Sequence, residues 1–130
     1  MQTYFEQDFF KIYYDKTNKI IITEWRLPPT SQEFREGMDV VIKALQYFNV
    51  SKVIFDTVAM GVVLEADQEW ISSDWYGRAV KAGYSQVAFV LPKDVFTDMC
   101  VKETVELTTD RIPTAYFESR SEAIDWMNEF

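Results

Sequence analysis

Asp56 and Thr57 are the polar residues whose position best suits binding chemistry, because they directly follow a short apolar run at residues 53–55. In sheets that are covered by helices, ligands bind beyond the carboxyl ends of the strands. A helix that begins a few residues later would present free N–H groups to the same place. Met60 and Gly61 lie in the intervening loop. We therefore predict a site for a small ligand or a partner loop at Asp56, Thr57, Met60 and Gly61.

The same loop also admits a structural interpretation, which the local charge favours. Asp56 and Thr57 can hydrogen-bond to groups of their own loop, as short polar side chains in turns often do. An anion site is expected to contain Lys or Arg, whereas Glu65, Asp67 and Glu69 follow this loop. Carboxylates at these positions stabilise the first turn of a helix and repel phosphate.

Trp70 and Trp75 form a second candidate group on the helix that is expected to follow. The two residues are five positions apart, which places them about 140° apart around a helix axis. A helix that packs by one face cannot bury both side chains fully. One of them is therefore expected at an interface or at the rim of a pocket. Two interpretations remain open: self-association through this helix, or an apolar pocket that Met60 also lines.

Catalysis is poorly supported, because the chain contains no histidine. Histidine is the usual general base at neutral pH and a common metal ligand. The acidic pairs, such as Glu118 with Glu122, fall on predicted polar helix faces or caps. Cys100 falls on a predicted apolar helical stripe, where a buried thiol is inert. We predict a protein that is not an enzyme, with no catalytic residue, no metal and no cofactor.

Composition limits the classes of partner and the compartment. A chain of 130 residues fits one domain, so we predict a single domain over residues 1–130. The net charge of −8 and the lack of a basic cluster argue against nucleic-acid binding. No apolar run approaches the roughly 20 residues of a membrane span. The single cysteine and the lack of a basic leader segment predict a cytoplasmic protein.

The patterns along the chain predict an α/β fold in the order β-β-α-β-α-β-α-β-α. Strands are expected at residues 9–14, 20–25, 52–56, 86–91 and 114–117, and helices at about 30–49, 67–82, 94–107 and 119–130. Thr30 with Glu33, and Ser119 with Glu122, have the spacing of capping boxes. Asp67 is the expected cap of the second helix. Helices between strands imply parallel pairing, and the first hairpin adds an antiparallel edge. We predict a mixed five-stranded sheet packed by four helices.

This order resembles the STAS domain and the related SpoIIAA-like proteins of bacteria, a group whose fold is also likened to a lipid-binding domain. The most specific pieces are the central strand at residues 53–56, Val-Ile-Phe-Asp, and the ending at residues 117–126, Phe-Glu-Ser-Arg-Ser-Glu-Ala-Ile-Asp-Trp. The resemblance covers nearly the whole chain and consists mostly of packing signatures. It therefore implies a SpoIIAA/STAS-like fold more strongly than a function.

The family's regulatory motif is altered in this chain. In the anti-sigma-factor antagonists, an Asp-Ser-Ser-Gly run after the third strand carries the serine that is phosphorylated. Here residues 56–61 read Asp-Thr-Val-Ala-Met-Gly, so no serine follows the aspartate. The resemblance implies a non-enzymatic regulatory domain that acts by protein–protein contact, without the phosphoserine switch. Its expected partner is a protein, chiefly a second copy in a homodimer. The alternative is a small-molecule or lipid-binding domain with an apolar pocket near the second helix.

Overall fold

The computed structural model describes residues 1–91 and 112–129, and in these ranges six strands form one mixed sheet. The strands are β1 (Gln2–Gln7), β2 (Phe10–Asp15), β3 (Ile20–Trp25), β4 (Lys52–Asp56), β5 (Gln86–Val90) and β6 (Thr114–Phe117). Their order across the sheet follows their order in the chain. The pairs among β1, β2 and β3 are antiparallel, and the pairs from β3 to β6 are parallel. The α/β class and the mixed sheet that the sequence predicts are confirmed.

In the described residues, helical segments follow the strands β3, β4 and β6. Helix α1 (Ser31–Phe48) connects β3 to β4, and a continuous helical segment connects β4 to β5. That segment consists of α2 (Glu65–Trp70), a π-helical turn (Ile71–Trp75) and α3 (Tyr76–Lys81). Helix α4 (Arg120–Met127) follows β6.

The polar residues at the helix ends explain where α1 and α4 begin. Thr30 accepts a hydrogen bond from the Glu33 backbone N–H, and the Glu33 carboxylate accepts one from the Thr30 N–H, which confirms the capping box. Ser119 accepts a hydrogen bond from the Glu122 N–H and caps α4. Gly83, with φ of +111°, lies just after the second helical segment. Glycine adopts a positive φ without strain because it has no Cβ, so it commonly ends a helix at this position.

The sheet has an apolar layer on each face, because successive side chains of a strand point to opposite sides. Helix α1 and the segment from α2 to α3 cover one face, which we call the upper face. Its buried residues include Phe10, Ile12, Ile21, Trp25, Val53, Phe55, Val41, Leu45 and Trp75. Helix α4 covers the opposite, lower face. The buried residues there include Ile20, Ile22, Ile54, Ala88, Val90, Ala123 and Met127.

The predicted number of strands was too low, because β1 was not recognised. Strand β1 contains a β-bulge between Thr3 and Phe5 in its pairing with β2. The extra residue lets Tyr4 and Phe5, which are adjacent in sequence, both pack against the upper-face core. The alternation that identifies a strand is therefore lost.

The predicted N-cap of the second helix is wrong. Asp67 does not cap the second helix: Leu64 occupies the cap position without a side-chain hydrogen bond, and Asp67 lies buried in the first turn. The structure describes three helical segments, the one from α2 to α3 being continuous. The predicted helix at 94–107, with Cys100, lies outside the described residues.

Candidate functional site

An arginine joins the ends of two parallel strands to the last helix. Glu24 and Asp56 are paired in the register of β3 and β4, so two like charges lie side by side near the carboxyl ends of these strands. Arg120, the first residue of α4, lies between them. Its Nε donates a hydrogen bond to Asp56 Oδ2 at 2.8 Å, and its Nη2 donates to Glu24 Oε2 at 2.6 Å. Arg120 therefore compensates a repulsion that the strand register creates.

A second arginine extends this arrangement to the edge of the sheet. Arg26 Nε donates to Glu24 Oε1 at 2.9 Å, and its Nη1 donates to Glu6 Oε2 at 2.9 Å. Lys11 Nζ lies 3.8 Å from the other oxygen of Glu6. We call the resulting set the ionic cluster; its members are Glu6, Lys11, Glu24, Arg26, Asp56 and Arg120. Its formal charges cancel, since three carboxylates face three cations.

The electrostatics of the ionic cluster favour its charged forms. Partial burial alone would raise the pKa of Glu24, but the hydrogen bonds and charges of Arg26 and Arg120 lower it below the ordinary value of 4.5. Burial opposes the charged form of Arg120, yet Asp56 and Glu24 raise the pKa of its guanidinium. Glu24 is therefore ionised at neutral pH, which suits an ion pair better than a general acid.

An open depression adjoins the ionic cluster. It has a volume of about 470 Å³, and its lining residues are Glu24, Trp25, Arg26, Asp56, Val58 and Ala59. The position agrees with the general location of binding sites beyond the carboxyl ends of parallel strands. Of the predicted site residues, Asp56 lines this depression. Its Oδ1 also accepts a hydrogen bond from the Val58 N–H at 3.1 Å, so the carboxylate holds its own loop in place.

Thr57 is turned away from the depression and is 2% exposed. Its Oγ1 donates a hydrogen bond to the Val90 carbonyl oxygen at 2.9 Å, and its backbone N–H donates to the same oxygen at 3.0 Å. These bonds connect the loop after β4 to the end of β5. Thr57 thus has a structural contact, and its hydroxyl is not offered to a ligand.

Met60 and Gly61 hold two loops together. Met60 is buried, and Gly61 has φ of +78°, a conformation that residues with a Cβ rarely adopt. A Cβ at Gly61 would lie 3.3 Å from the side chain of Pro28, which belongs to the loop after β3. The loop after β4 therefore packs against the loop after β3. The cavity beside Met60 measures about 10 Å³, which is room for about one water molecule.

These two loops carry large aliphatic side chains that are about half exposed. The exposed fractions are 53% for Leu27, 52% for Val58, 47% for Val62 and 58% for Leu64. We call these four residues the loop surface. Sequence reasoning recognised the loop at Val58 to Leu64 but missed Leu27, Glu24 and Arg120. These three residues reach the candidate site only because the fold brings together segments that are far apart in the chain.

The two tryptophans of the second helical segment have different environments. Trp75 is 2% exposed, and its Nε1 donates a hydrogen bond to the Met38 carbonyl oxygen at 2.7 Å. Trp70 is partly exposed and packs edge-on against Phe34. Only one of the pair is fully buried, as their spacing predicts. Met60 and Trp75 belong to the buried core of the upper face, and Trp70 packs against it.

Within residues 1–91 and 112–129, no group of three or more acidic or cysteine side chains is arranged to hold a metal ion. In the same ranges, no helix has the length and apolar character needed to cross a membrane. Comparison of the chain with models of protein families, with curated proteins and with solved structures gives no match. The likeness to the STAS group therefore depends on the sequence features alone.

Proposed function

We propose that this chain is a non-enzymatic protein-interaction domain of the SpoIIAA/STAS-like type, and that a protein partner docks on the loop surface. The observation that carries this proposal is the exposure of four large aliphatic side chains on two loops that pack against each other. Exposed apolar groups that lie close together on a protein surface are typical of partner sites.

Hydrogen bonds and core contacts hold the loop after β4 in place. They reduce the entropic cost of ordering the loop surface when a partner binds. Asp56 fixes the start of the loop through the Val58 N–H, and Thr57 ties it to β5 through the Val90 carbonyl. Met60 anchors its middle in the core. The exposed residues Val58 and Val62 thus alternate with buried or hydrogen-bonded ones, so that the loop presents its side chains in a defined arrangement.

The charge of the chain indicates the chemistry of the partner. The net charge is −8, and the exposed carboxylates of Glu65 and Glu69 follow Leu64. A segment with apolar side chains flanked by Lys or Arg complements both features. We therefore propose a basic, partly apolar protein segment as the occupant of the loop surface, with binding that weakens as the salt concentration rises.

The regulatory serine of the family has no equivalent in the proposed function. Position 57 holds a threonine whose hydroxyl is buried and donates to a backbone carbonyl. A kinase would have to open the loop to reach it, and a phosphate would lose that hydrogen bond. We therefore propose that phosphorylation of residue 57 does not control partner binding.

A second candidate function is small-molecule binding in the depression beside the ionic cluster. Its volume of about 470 Å³ lies within the range of about 300–1,000 Å³ that is usual for ligand pockets. Trp25 lines the depression, so a ligand that binds there is expected to change tryptophan fluorescence. A protein that docks on the loop surface and a ligand in the depression would both contact Val58, and competition between them is a direct way to compare the two functions.

Site-specific photo-crosslinking in the native cell tests the proposed function. A photoreactive amino acid is placed at Val58 or Val62, and at Val80 as a control, because Val80 is 43% exposed but lies on α3. We expect the same protein adduct from Val58 and Val62, and no such adduct from Val80. Different adducts from the two loop positions, or the same adduct from all three, would contradict the proposal.

A further inference from the structure

Strand β1 lies at one end of the sheet, and this leaves one of its two edges unpaired by any strand in the described part of the chain. Edge strands expose backbone N–H and C=O groups that can pair with another chain, and natural proteins usually protect them with Lys, Pro, short length or bulges. Strand β1 has six residues, Gln-Thr-Tyr-Phe-Glu-Gln, and contains neither Lys nor Pro. Its protective features are the bulge at Tyr4 and the charge of Glu6, which Arg26 and Lys11 neutralise.

The opposite edge of the sheet is better protected. Strand β6 has four residues and follows directly after Pro113. A short strand with an adjacent proline offers few backbone groups for pairing. The comparison singles out β1 as the edge that is suited to strand addition.

The charge along β1 favours a second copy of the same chain as the added strand. The only charged residue of β1 is Glu6, and Arg26 at 2.9 Å and Lys11 at 3.8 Å already neutralise it. Two molecules that each carry a net charge of −8 repel each other over most of their surfaces. At β1, by contrast, two copies would meet without an unpaired like charge. A strand that pairs with its own copy about a two-fold axis is antiparallel, and the same surface serves both molecules.

Aromatic side chains next to β1 would add contact area to such an interface. The ring of Tyr4 lies 5.3 Å from that of Tyr47, which belongs to the last turn of α1 and is 68% exposed. Tyrosine contributes much apolar area at a small entropic cost, and it is enriched in interfaces. An added strand along β1 would pass beside this pair of rings.

We propose that two copies of this chain associate by antiparallel pairing of β1 with β1, which joins their sheets into one. The interface consists of the free edge of residues 2–7 together with Tyr4 and Tyr47. It shares no residue with the loop surface, and it differs from self-association through the helix of Trp70 and Trp75, since Trp75 is buried in the core of one molecule.

Sedimentation equilibrium over a range of concentrations tests this proposal. The wild-type mass is expected to rise from 15.3 kDa towards twice that value. Thr3→Glu places a carboxylate on β1 of each copy, and the dimer is expected to dissociate about tenfold more readily, because like charges across paired strands are destabilising. Thr17→Glu is the matched control, since it makes the same change in net charge at an exposed turn between β2 and β3. This control is expected to keep the wild-type dissociation constant.

Two further measurements test the β1 interface even if Thr3→Glu disturbs folding. Amide hydrogen exchange of residues 2–7 is expected to slow as the wild-type concentration rises, and Tyr47→Ala is expected to weaken the dimer. A mass that stays at one chain at every concentration would overturn the proposal. So would a dimer that Thr3→Glu, Thr17→Glu and Tyr47→Ala affect equally, because its interface would then lie elsewhere. A variant with a changed loop surface, Val62→Asp, is expected to leave the dimer intact, so failure here is distinct from failure of the proposed partner binding.

Discussion

Arg120 is the residue that connects the most distant parts of the chain at the candidate site. Its two partners precede it by 64 and 96 positions, yet all three side chains meet at hydrogen-bonding distance. Paired charges that are partly shielded from water contribute more to stability than pairs on an open surface. The side chains of Arg120, Glu24 and Asp56 are 30%, 28% and 14% exposed. Arg120 is therefore expected to be important for holding α4 against the sheet.

Replacing Arg120 by alanine tests this role. We expect Arg120→Ala to lower the free energy of unfolding by about 1–2 kcal/mol, because it leaves two neighbouring carboxylates without their shared cation. Arg78→Ala is the matched control, since Arg78 also bridges two carboxylates, Asp39 and Asp74, but on a more exposed surface. That change is expected to cost about 0.5 kcal/mol. Equal costs in urea denaturation would show that the ionic cluster has no special structural role.

The lowered pKa of Glu24 predicts how stability depends on pH. A carboxylate whose pKa is lower in the folded state contributes stability that is present above its unfolded pKa, here near 4.5, and is lost as the pH falls through the folded value. Glu24→Gln is therefore expected to reduce the acid-dependent loss of stability below pH 4.5. Glu69→Gln, a change on the exposed surface of α2, is the control. Urea denaturation at several pH values measures both, and identical acid profiles for Glu24→Gln and wild type would contradict the assignment.

At the scale of single elements, the glycines of the helices show how packing overrides intrinsic preference. Gly37 lies on the buried side of α1, where a Cβ would be 2.8 Å from Trp25 Cη2 and 3.0 Å from Phe10 Cδ2. Gly77 lies in α3 with no atom within 4 Å of the place where a Cβ would be. The absence of a side chain at Gly37 thus lets the helix approach the aromatic layer of the sheet, whereas at Gly77 it serves no packing purpose.

Replacing the two glycines by alanine is expected to change the free energy of unfolding in opposite directions. Gly77→Ala is expected to raise the free energy of unfolding by up to about 1 kcal/mol, which is the usual gain in helix propensity. Gly37→Ala is expected to lower it by about 1–3 kcal/mol, because overpacking outweighs the same gain. Thermal or urea denaturation measures both changes. A stabilising effect of Gly37→Ala would mean that α1 lies farther from Trp25 and Phe10 than these distances indicate.

Elements that are defined by local signals could be predicted from the sequence, whereas those defined by distant contacts could not. The capping residues Thr30 and Ser119 mark their helices through bonds that span three positions. Strand β1 was missed because its bulge places Tyr4 and Phe5 on one face. Asp67 resembles a helix cap in sequence, but Ser31 and Arg35 of α1 donate hydrogen bonds to its carboxylate instead. Neither partner is visible from the local sequence of the second helix.

The candidate site was predicted only in part for the same reason. The position of Asp56 at the end of a buried strand led to the edge of the sheet where the open depression lies. The ionic cluster escaped notice because Glu24 and Arg120 lie on other elements, 32 and 64 positions away from Asp56 in the chain. The burial of Thr57 depends on the Val90 carbonyl of a neighbouring strand, which no local pattern reveals.

At the scale of the whole molecule, the described parts of the chain form one sheet whose carboxyl-end loops and free edge present different chemistry. The loops offer aliphatic side chains supported by a neutral ionic cluster, and the edge offers backbone groups beside two tyrosines. A basic partner on the loops and a second copy at β1 would contact different residues. The acidic charge of −8 opposes other, non-specific contacts between copies.

Calorimetric titration of the purified chain with the partner captured by crosslinking tests partner docking on the loop surface most directly. Val62→Asp is compared with Val80→Asp, which changes the same residue type at similar exposure on α3. We expect Val62→Asp to weaken binding by about tenfold or more, since a carboxylate in an apolar contact loses about 1.4 kcal/mol or more. The Val80→Asp control is expected to bind as the wild type does. Equal affinities for the two variants would show that the partner does not dock on the loop surface.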